Sequence, residues 1–227
     1  MPIDCRSSCL KNRMPKARRL AAEILYHLPR ELRNRIYTFC VQGSYDNEVI
    51  VRRAADSKGA LALLTRQCSG QHSYRWVEDP TPSIVSAQHL GRKVAQEMLE
   101  AYYWTRTFKF THRDLSIVTL FLATDQFGFG MTPHCYARRL HIQFQPGVLA
   151  LPEEKRCLQG IEHLGAMLTT RTEVAIDIEV PERQDDFDHL QTYEPAEEWS
   201  LRVAQAVYGL REQGLRVEML YRRTWTG

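Results

Sequence analysis

The sequence lacks any long hydrophobic run. Its longest mainly apolar stretch lies near Ile117–Ala123, far short of the roughly 18 residues that a membrane-spanning helix needs. Residues 1–20 are polar and basic and do not show the apolar segment of a secretory signal. None of the three asparagines is followed two places on by Ser or Thr, as N-glycosylation requires. We therefore expect a protein of the cytoplasm or nucleus without a membrane partner.

Cysteine is sparse and irregularly spaced. The six cysteines stand at positions 5, 9, 40, 68, 135 and 157. No Cys-x-x-Cys pair of the kind that zinc sites show occurs among them. In a chain without a secretory signal we interpret them as reduced thiols. We predict neither a metal site nor a cofactor.

Charge is nearly balanced overall, with a net +3, but it is uneven along the chain. Residues 1–35 hold nine lysines and arginines against three acids, whereas residues 177–198 hold nine acids against one arginine. A basic arm can attract phosphates or an acidic partner. We therefore predict a flexible basic arm over residues 1–15 and keep nucleic-acid association as one alternative function. The candidate contact residues are Lys11, Arg13, Lys16, Arg18 and Arg19.

A short helix is the best-marked element. Pro29 suits the first helical position, Glu31 favours the helix dipole in the first turn, and Gly43 follows as a stop signal. Apolar residues recur at helical spacing between these signals, and the arginines occupy the other face. The pattern predicts an amphipathic helix over Leu28–Val41, whose apolar side either docks on a partner or packs on the protein's own helices. The predicted docking residues are Leu28, Pro29, Leu32, Ile36, Tyr37 and Phe39.

The C-terminal third alternates strand and helix patterns. Arg138–Phe144 and Glu173–Val180 alternate apolar and polar residues as strands do, and Leu215–Tyr221 is the last strand. Helical patterns separate these strands, and such alternation predicts a parallel sheet with right-handed crossovers. Because the strands carry polar residues at every second position, we expect the helices mainly on one face.

Together the patterns predict an α/β fold with an α+β N-terminal part. A helix from Ser83 or Ser86 to about Tyr103 places Val94, Met98 and Tyr102 one turn apart. Further strands are predicted at Glu48–Arg53, Ala60–Thr65, Tyr74–Val77 and Thr105–Phe110. We divide the chain into the arm 1–15, a helical segment 16–60 that the next paragraph names, and an α/β domain 61–227, with the alternative that the last two form one continuous domain.

The name of the helical segment comes from a resemblance. Residues Leu28–Tyr37 read Leu-Pro-Arg-Glu-Leu-Arg-Asn-Arg-Ile-Tyr and resemble the "LPxELRNxIY" opening of a large group of fungal F-box-like proteins. Looser similarity to that group continues through residues 84–108 and 136–144. The resemblance implies a non-catalytic adaptor that recruits a client to a cullin–RING ubiquitin ligase. The implied partners are the ligase adaptor and a client protein.

An enzymatic function stays open as an alternative. His134, Cys135, His141 and Asp125 are close in sequence and lie in or near a glycine-rich stretch over 125–133. In α/β folds such groups can form a site near the strand ends. Catalytic groups must come within hydrogen-bond reach of one another and of substrate. This alternative therefore requires the four side chains to share a cleft.

Overall fold

In the computed structural model, the chain forms a mixed sheet with helices packed mainly on one face. The structure describes residues 5–42, 45–54, 60–68, 74–145, 151–181 and 196–224. The helices are α1 (Cys5–His27), α2 (Arg30–Gln42), α3 (Thr81–Ile84), α4 (Ala87–Leu90), α5 (Arg92–Thr105), a 3-10 helix (His112–Ile117), α6 (Val118–Ala123), α7 (Pro133–Tyr136), α8 (Leu151–Met167) and α9 (Ala196–Glu212). The strands are β1 (Tyr45–Arg53), β2 (Leu61–Cys68), β3 (Tyr74–Glu78), β4 (Thr107–Phe110), β5 (Arg139–Phe144), β6 (Glu173–Pro181) and β7 (Arg216–Thr224).

The sheet has the order β3-β2-β1-β4-β5-β6-β7. Strands β3, β2 and β1 pair antiparallel, whereas β1 and β4 to β7 all run parallel. From β4 onward each strand lies beside the preceding one, so right-handed crossovers place the connecting helices on the same face. The predicted α/β class is confirmed.

The core lies between the sheet and these helices. Phe108 and Phe110 of β4 pack against Phe121 of α6 with ring centroids 4.9 and 5.5 Å apart. Tyr102 and Tyr103 of α5 close the same cluster. Strands β5 and β6 contribute buried side chains at every second position: Leu140, Ile142, Phe144, Val174, Ile176 and Ile178. The residues between them point to the opposite face of the sheet.

Helices α1 and α2 pack onto the helix layer, with α2 against α5 and α1 against α4 and α5. Arg106, which is fully buried, donates to the carbonyl oxygens of Val41 at 2.5 Å and Gln42 at 3.5 Å. A cation at the carboxyl end of a helix both satisfies the last carbonyls and complements the dipole. The end of α2 is thereby fixed to the start of β4.

The N-terminal part differs from our expectation in two respects. Helix α1 begins at Cys5, where we predicted a flexible arm over residues 1–15. The residues before Pro15 include Leu, Lys, Arg and Met, which favour helix. Strand β1 contains the strand that we predicted at Glu48–Arg53 within the segment 16–60, and it pairs with both β2 and β4. The sheet therefore crosses the boundary that we placed at residue 60.

The single helix predicted from Ser83 or Ser86 to Tyr103 is wrong, because three helices, α3 to α5, occupy this region. Gly91 has a φ of 80°, a left-handed conformation that glycine adopts without steric cost. This glycine separates α4 from α5. Within the ranges that the structure describes, no helix has the length and apolar character to cross a membrane.

Candidate interaction surfaces

Helix α2 is attached to α5 by its polar side. The Arg30 guanidinium lies 2.5 Å from a Glu97 oxygen and 2.6 Å from a Glu100 oxygen. Arg33 donates to both carboxylate oxygens of Glu97, at 2.9 and 3.1 Å. The Glu97 side chain is only 7% exposed, so water screens these bidentate contacts little. The contacts fix which side of α2 faces the protein.

Arg33 also orders the junction between α1 and α2. One of its terminal nitrogens donates to the carbonyl oxygens of Leu25 at 3.2 Å and Leu28 at 2.8 Å. These carbonyls belong to the end of α1 and the turn that follows, where helical partners are missing. A single side chain therefore links the end of α1, the start of α2 and helix α5.

Tyr37 and Val41 continue this inner side of α2, four and eight residues after Arg33. Both side chains are 2% exposed. Burial, and next the negative charge of Glu97, raise the pKa of Tyr37 to about 12. Tyr37 is therefore a neutral buried side chain and cannot lie on a docking surface as we predicted. Arg30 and Arg33, which we placed opposite the apolar stripe, face α5 because it supplies their acidic partners, whereas Arg35 is exposed.

The outer side of α2 carries exposed apolar residues. Leu32 is 46% and Phe39 77% exposed, and Pro29 is exposed as well. Ile36 is partly buried against the core, and Leu28 is half-buried. Of the six predicted docking residues, the structure thus brings Pro29, Leu32 and Phe39 to the surface.

The predicted basic contact residues lie on α1. Lys16, Arg18 and Arg19 are exposed, and Arg19 forms a long contact of 4.0 Å with Glu23 one turn on. The side chains of Lys11 and Arg13 lie outside the described residues, as does most of the acidic segment 177–198. The described part of this surface is a solvated helix face with three cations.

The face of the sheet that points away from the core carries no helix of the described ranges, and we call it the helix-free face. It carries a charged network. His141 on β5 has Nδ1 3.2 Å from a Glu48 oxygen and Nε2 3.0 Å from an Asp177 oxygen. Lys109 on β4 lies 3.8 Å from the other Glu48 oxygen. Carboxylates only accept hydrogen bonds, so both ring nitrogens can donate at once only when the imidazole is protonated. The network ties together four parallel strands, β1, β4, β5 and β6.

The network changes the acidity of Glu48. The hydrogen bond from His141 lowers the pKa of this carboxyl below its ordinary value, and the charge of Lys109 adds to the effect. Partial burial acts in the opposite direction but is the smaller influence. Glu48 is therefore held as a carboxylate on this face.

A cleft of about 780 Å³ opens beside the network, at the amino ends of the parallel strands. Its walls include first residues of the strands, among them Arg139, Glu173 and Arg216, and also Glu218. These four side chains are exposed, and Arg216 lies 3.4 Å from Glu173. The surface combines both signs of charge, which suits a polar partner better than an apolar one.

Sequence reasoning missed most members of this face. The alternation Arg139, His141, Gln143 showed that one side of β5 is polar. Nothing in the sequence showed that Glu48, 93 residues away, would reach the same imidazole. Glu48 and His141 meet because only β4 lies between β1 and β5 in the sheet. Local sequence patterns do not encode this strand order.

The four residues of the enzymatic alternative do not meet at one centre. His134 and Cys135 are in contact, with Nε2 and Sγ 3.1 Å apart. His141 instead joins the carboxylate network. Asp125 accepts hydrogen bonds from the amides of its own loop, Gly128 at 3.0 Å and Gly130 at 2.5 Å. Among the residues with described positions, no group of three or more His, Cys, Asp or Glu side chains could hold a metal ion.

Comparison of the chain with protein-family models, curated proteins and solved structures found no match in any of the three. The resemblance to the fungal F-box-like group rests on the residues quoted above. Its functional implication has to be weighed against the geometry of α2 and of the sheet face.

Proposed function

We propose that this protein is a non-catalytic adaptor. It docks on the adaptor subunit of a cullin–RING ubiquitin ligase through the outer side of α2, and it presents the helix-free face of its sheet to a client. The observation that carries the proposal is the exposure of Leu32 and Phe39 on a helix whose opposite side is fixed by ion pairs and buried residues. Such a role belongs in the cytoplasm or nucleus.

The two exposed side chains suit helix-in-groove recognition. Leu32 and Phe39 stand seven residues apart, so they lie on one side of α2, two turns from each other. Burying each in a partner's groove stabilises the complex by about 1.5–3 kcal/mol. Because Arg30 and Arg33 already hold the helix in place, little ordering cost is added on binding.

The sheet face supports the client-binding half of the proposal. Its parallel strands carry a row of polar side chains, of which Glu48 is 30% exposed, and no described helix covers them. The 780 Å³ cleft adds a concave feature at one end. Arg139 and Arg216 lie beside Glu173 and Glu218. Charge complementarity with these residues would therefore determine the choice of client and would contribute less to the affinity.

The docking half is tested by Phe39→Asp in the full chain. We measure binding of the purified protein to a purified ligase adaptor by calorimetry. A charge placed in an apolar groove is expected to weaken binding at least tenfold, about 1.4 kcal/mol. The thermal unfolding midpoint should stay close to that of the wild type, because Phe39 makes little contact with its own core.

Tyr26→Asp is the matched control. Tyr26 is also an exposed aromatic residue, 80% accessible, but it lies on α1 and outside the proposed surface. Its replacement should leave the affinity unchanged. The docking proposal is overturned if the wild type does not bind the adaptor, or if Phe39→Asp and Tyr26→Asp bind equally well.

A further inference from the structure

One pair of reactive side chains lies outside both proposed surfaces. Cys135 is exposed on α7, and its Sγ lies 3.1 Å from Nε2 of the neighbouring His134. Thr132, just before α7, places its hydroxyl 4.0 Å from the same sulfur. The thiol therefore has a base on one side and a hydroxyl donor on another.

The backbone fixes the orientation of the imidazole. Nδ1 of His134 lies 3.1 Å from the carbonyl oxygen of Leu122. A carbonyl oxygen can only accept, so Nδ1 carries the proton in this contact. Nε2 of the neutral ring then presents its lone pair to Cys135, and the thiol donates to it. The Cys135 thiol is thus the nucleophile, the His134 imidazole is the base beside it, and the Leu122 carbonyl orients the base.

The other cysteines with described side chains lie in different surroundings. Cys157 is buried in the core. Cys40 is exposed, but partial shielding by its neighbours raises the pKa of its thiol. Cys40 therefore provides an internal comparison, since it has similar access to solvent without a paired imidazole in any described contact.

We propose that Cys135 and His134 form a thiol–imidazole pair that reacts with hydroperoxides. Nε2 takes the thiol proton, and the thiolate sulfur attacks one peroxide oxygen. The S–O bond forms as the O–O bond breaks, and the leaving oxygen takes the proton back from the imidazolium. Cysteine is oxidised to sulfenic acid, and the hydroperoxide is reduced to water or an alcohol.

The site favours this class of electrophile for two reasons. An exposed thiol on a four-residue helix gives access to a small molecule without a binding cleft. The peroxide leaving group needs a proton, and the imidazole that has just received one is within reach of it. This inference is independent of the proposed adaptor function.

The test compares Cys135 with Cys40 in the same molecule. The full-length protein receives a pulse of hydrogen peroxide at pH 7, and dimedone traps sulfenic acid for peptide mass spectrometry. A free thiol is only a few per cent thiolate at this pH, so activation can raise the rate by up to about 30-fold. We expect Cys135 to react about 5- to 30-fold faster than Cys40.

His134→Gln should lower the rate at Cys135 at least threefold and leave the rate at Cys40 unchanged. Circular dichroism checks that the variant keeps its fold. If it does not, the wild type in urea provides the second measurement, where the advantage of Cys135 should fall by at least half. The proposal is overturned if Cys135 is no faster than Cys40, if folded His134→Gln keeps the wild-type rate, or if the advantage persists in urea.

Discussion

Two adjacent buried tyrosines on α5 differ in the hydrogen bonding of their hydroxyl groups. Tyr102 and Tyr103 are both fully buried. The Tyr102 hydroxyl donates to Asp79 at 2.9 Å, and the same carboxylate accepts the amide of Thr81 at 2.8 Å. Burial and the Asp79 charge raise the pKa of Tyr102, which keeps it a neutral donor. The Tyr103 hydroxyl has no hydrogen-bond partner within the described part of the chain.

This contrast predicts unequal effects of removing each hydroxyl. Tyr102→Phe leaves the buried Asp79 carboxylate short of one donor and is expected to lower the free energy of unfolding by about 1–3 kcal/mol. Tyr103→Phe removes an unpaired hydroxyl and should change it by less than about 0.5 kcal/mol, or raise it. Urea unfolding of both variants measures the difference. Equal losses would contradict the role assigned to Asp79.

For single residues, the sequence predicts which side chains are buried better than it predicts their hydrogen-bond partners. The spacing of Val94, Met98 and Tyr102 correctly places Tyr102 on the inner side of its helix. Asp79 lies 23 residues earlier, in the turn before α3, and no helical or strand period connects the two residues. Its pairing with Tyr102 follows from how the α3 turn packs against α5, which is a tertiary property.

At the scale of the element, the attachment of α2 to α5 depends mainly on one acidic residue, Glu97. Glu97 receives both Arg30 and Arg33 and is nearly buried. Breaking such a network leaves cations without a counter-charge in a weakly hydrated place. We expect Glu97→Gln to lower the free energy of unfolding by about 2–4 kcal/mol and to speed amide hydrogen exchange in α2 more than in β5.

Glu100→Gln is the control for this prediction. Within the described part of the chain Glu100 pairs with Arg30, and it is more exposed than Glu97, so its loss should cost less than about 1 kcal/mol. Hydrogen exchange followed by mass spectrometry separates local release of α2 from global unfolding. Exchange in α2 that is identical in the two variants would show that Glu97 does not anchor the helix.

The same helix shows where prediction from sequence ends. Its start at Pro29 and its stop near Gly43 follow from capping chemistry, and the structure agrees with them to within two residues. The side of the helix that faces the protein does not follow from its own pattern. An apolar stripe usually faces the core, but here Arg30 and Arg33 face inward because Glu97 and Glu100 lie on α5. Leu32 and Phe39 are left outside for the same reason.

At the scale of the whole molecule, the Glu48–His141–Asp177 network spans the parallel sheet and gives it a pH dependence. The pKa of Glu48 in the folded chain lies below its ordinary value of 4.5. Its stabilising contribution is therefore fully present above that value and is lost as the pH falls through the folded-state pKa. Glu48→Gln should destabilise the protein by about 1–2 kcal/mol at pH 7.

The difference between wild type and Glu48→Gln should shrink as the pH falls below 4.5 and through the lowered folded-state pKa of Glu48, because the glutamate then becomes protonated. Urea unfolding at pH 7, 5 and 3 measures it. Glu218→Gln, an exposed position on β7, is the control and should change the free energy by less than about 0.5 kcal/mol. A difference for Glu48→Gln that stays constant down to pH 3 would contradict the role of this carboxylate.

The architecture was predictable where contacts are local. The alternation of strand and helix patterns predicted that β5 and β6 are parallel. The polar residues at every second strand position predicted that helices cover mainly one face of the sheet. The pairing of β1 with β4 was not predictable, since β2, β3 and three helices separate them in sequence. That pairing brings Glu48 to His141, so the charged network escaped prediction for the same reason.

The strand order also bears on how the protein is made. Once β4 has joined β1, strands β5, β6 and β7 each pair with the strand translated just before. Each can therefore add to the growing sheet as it leaves the ribosome, without waiting for a later segment. The slow step of assembly should be the closure of β4 onto β1, because that pairing spans the longest loop.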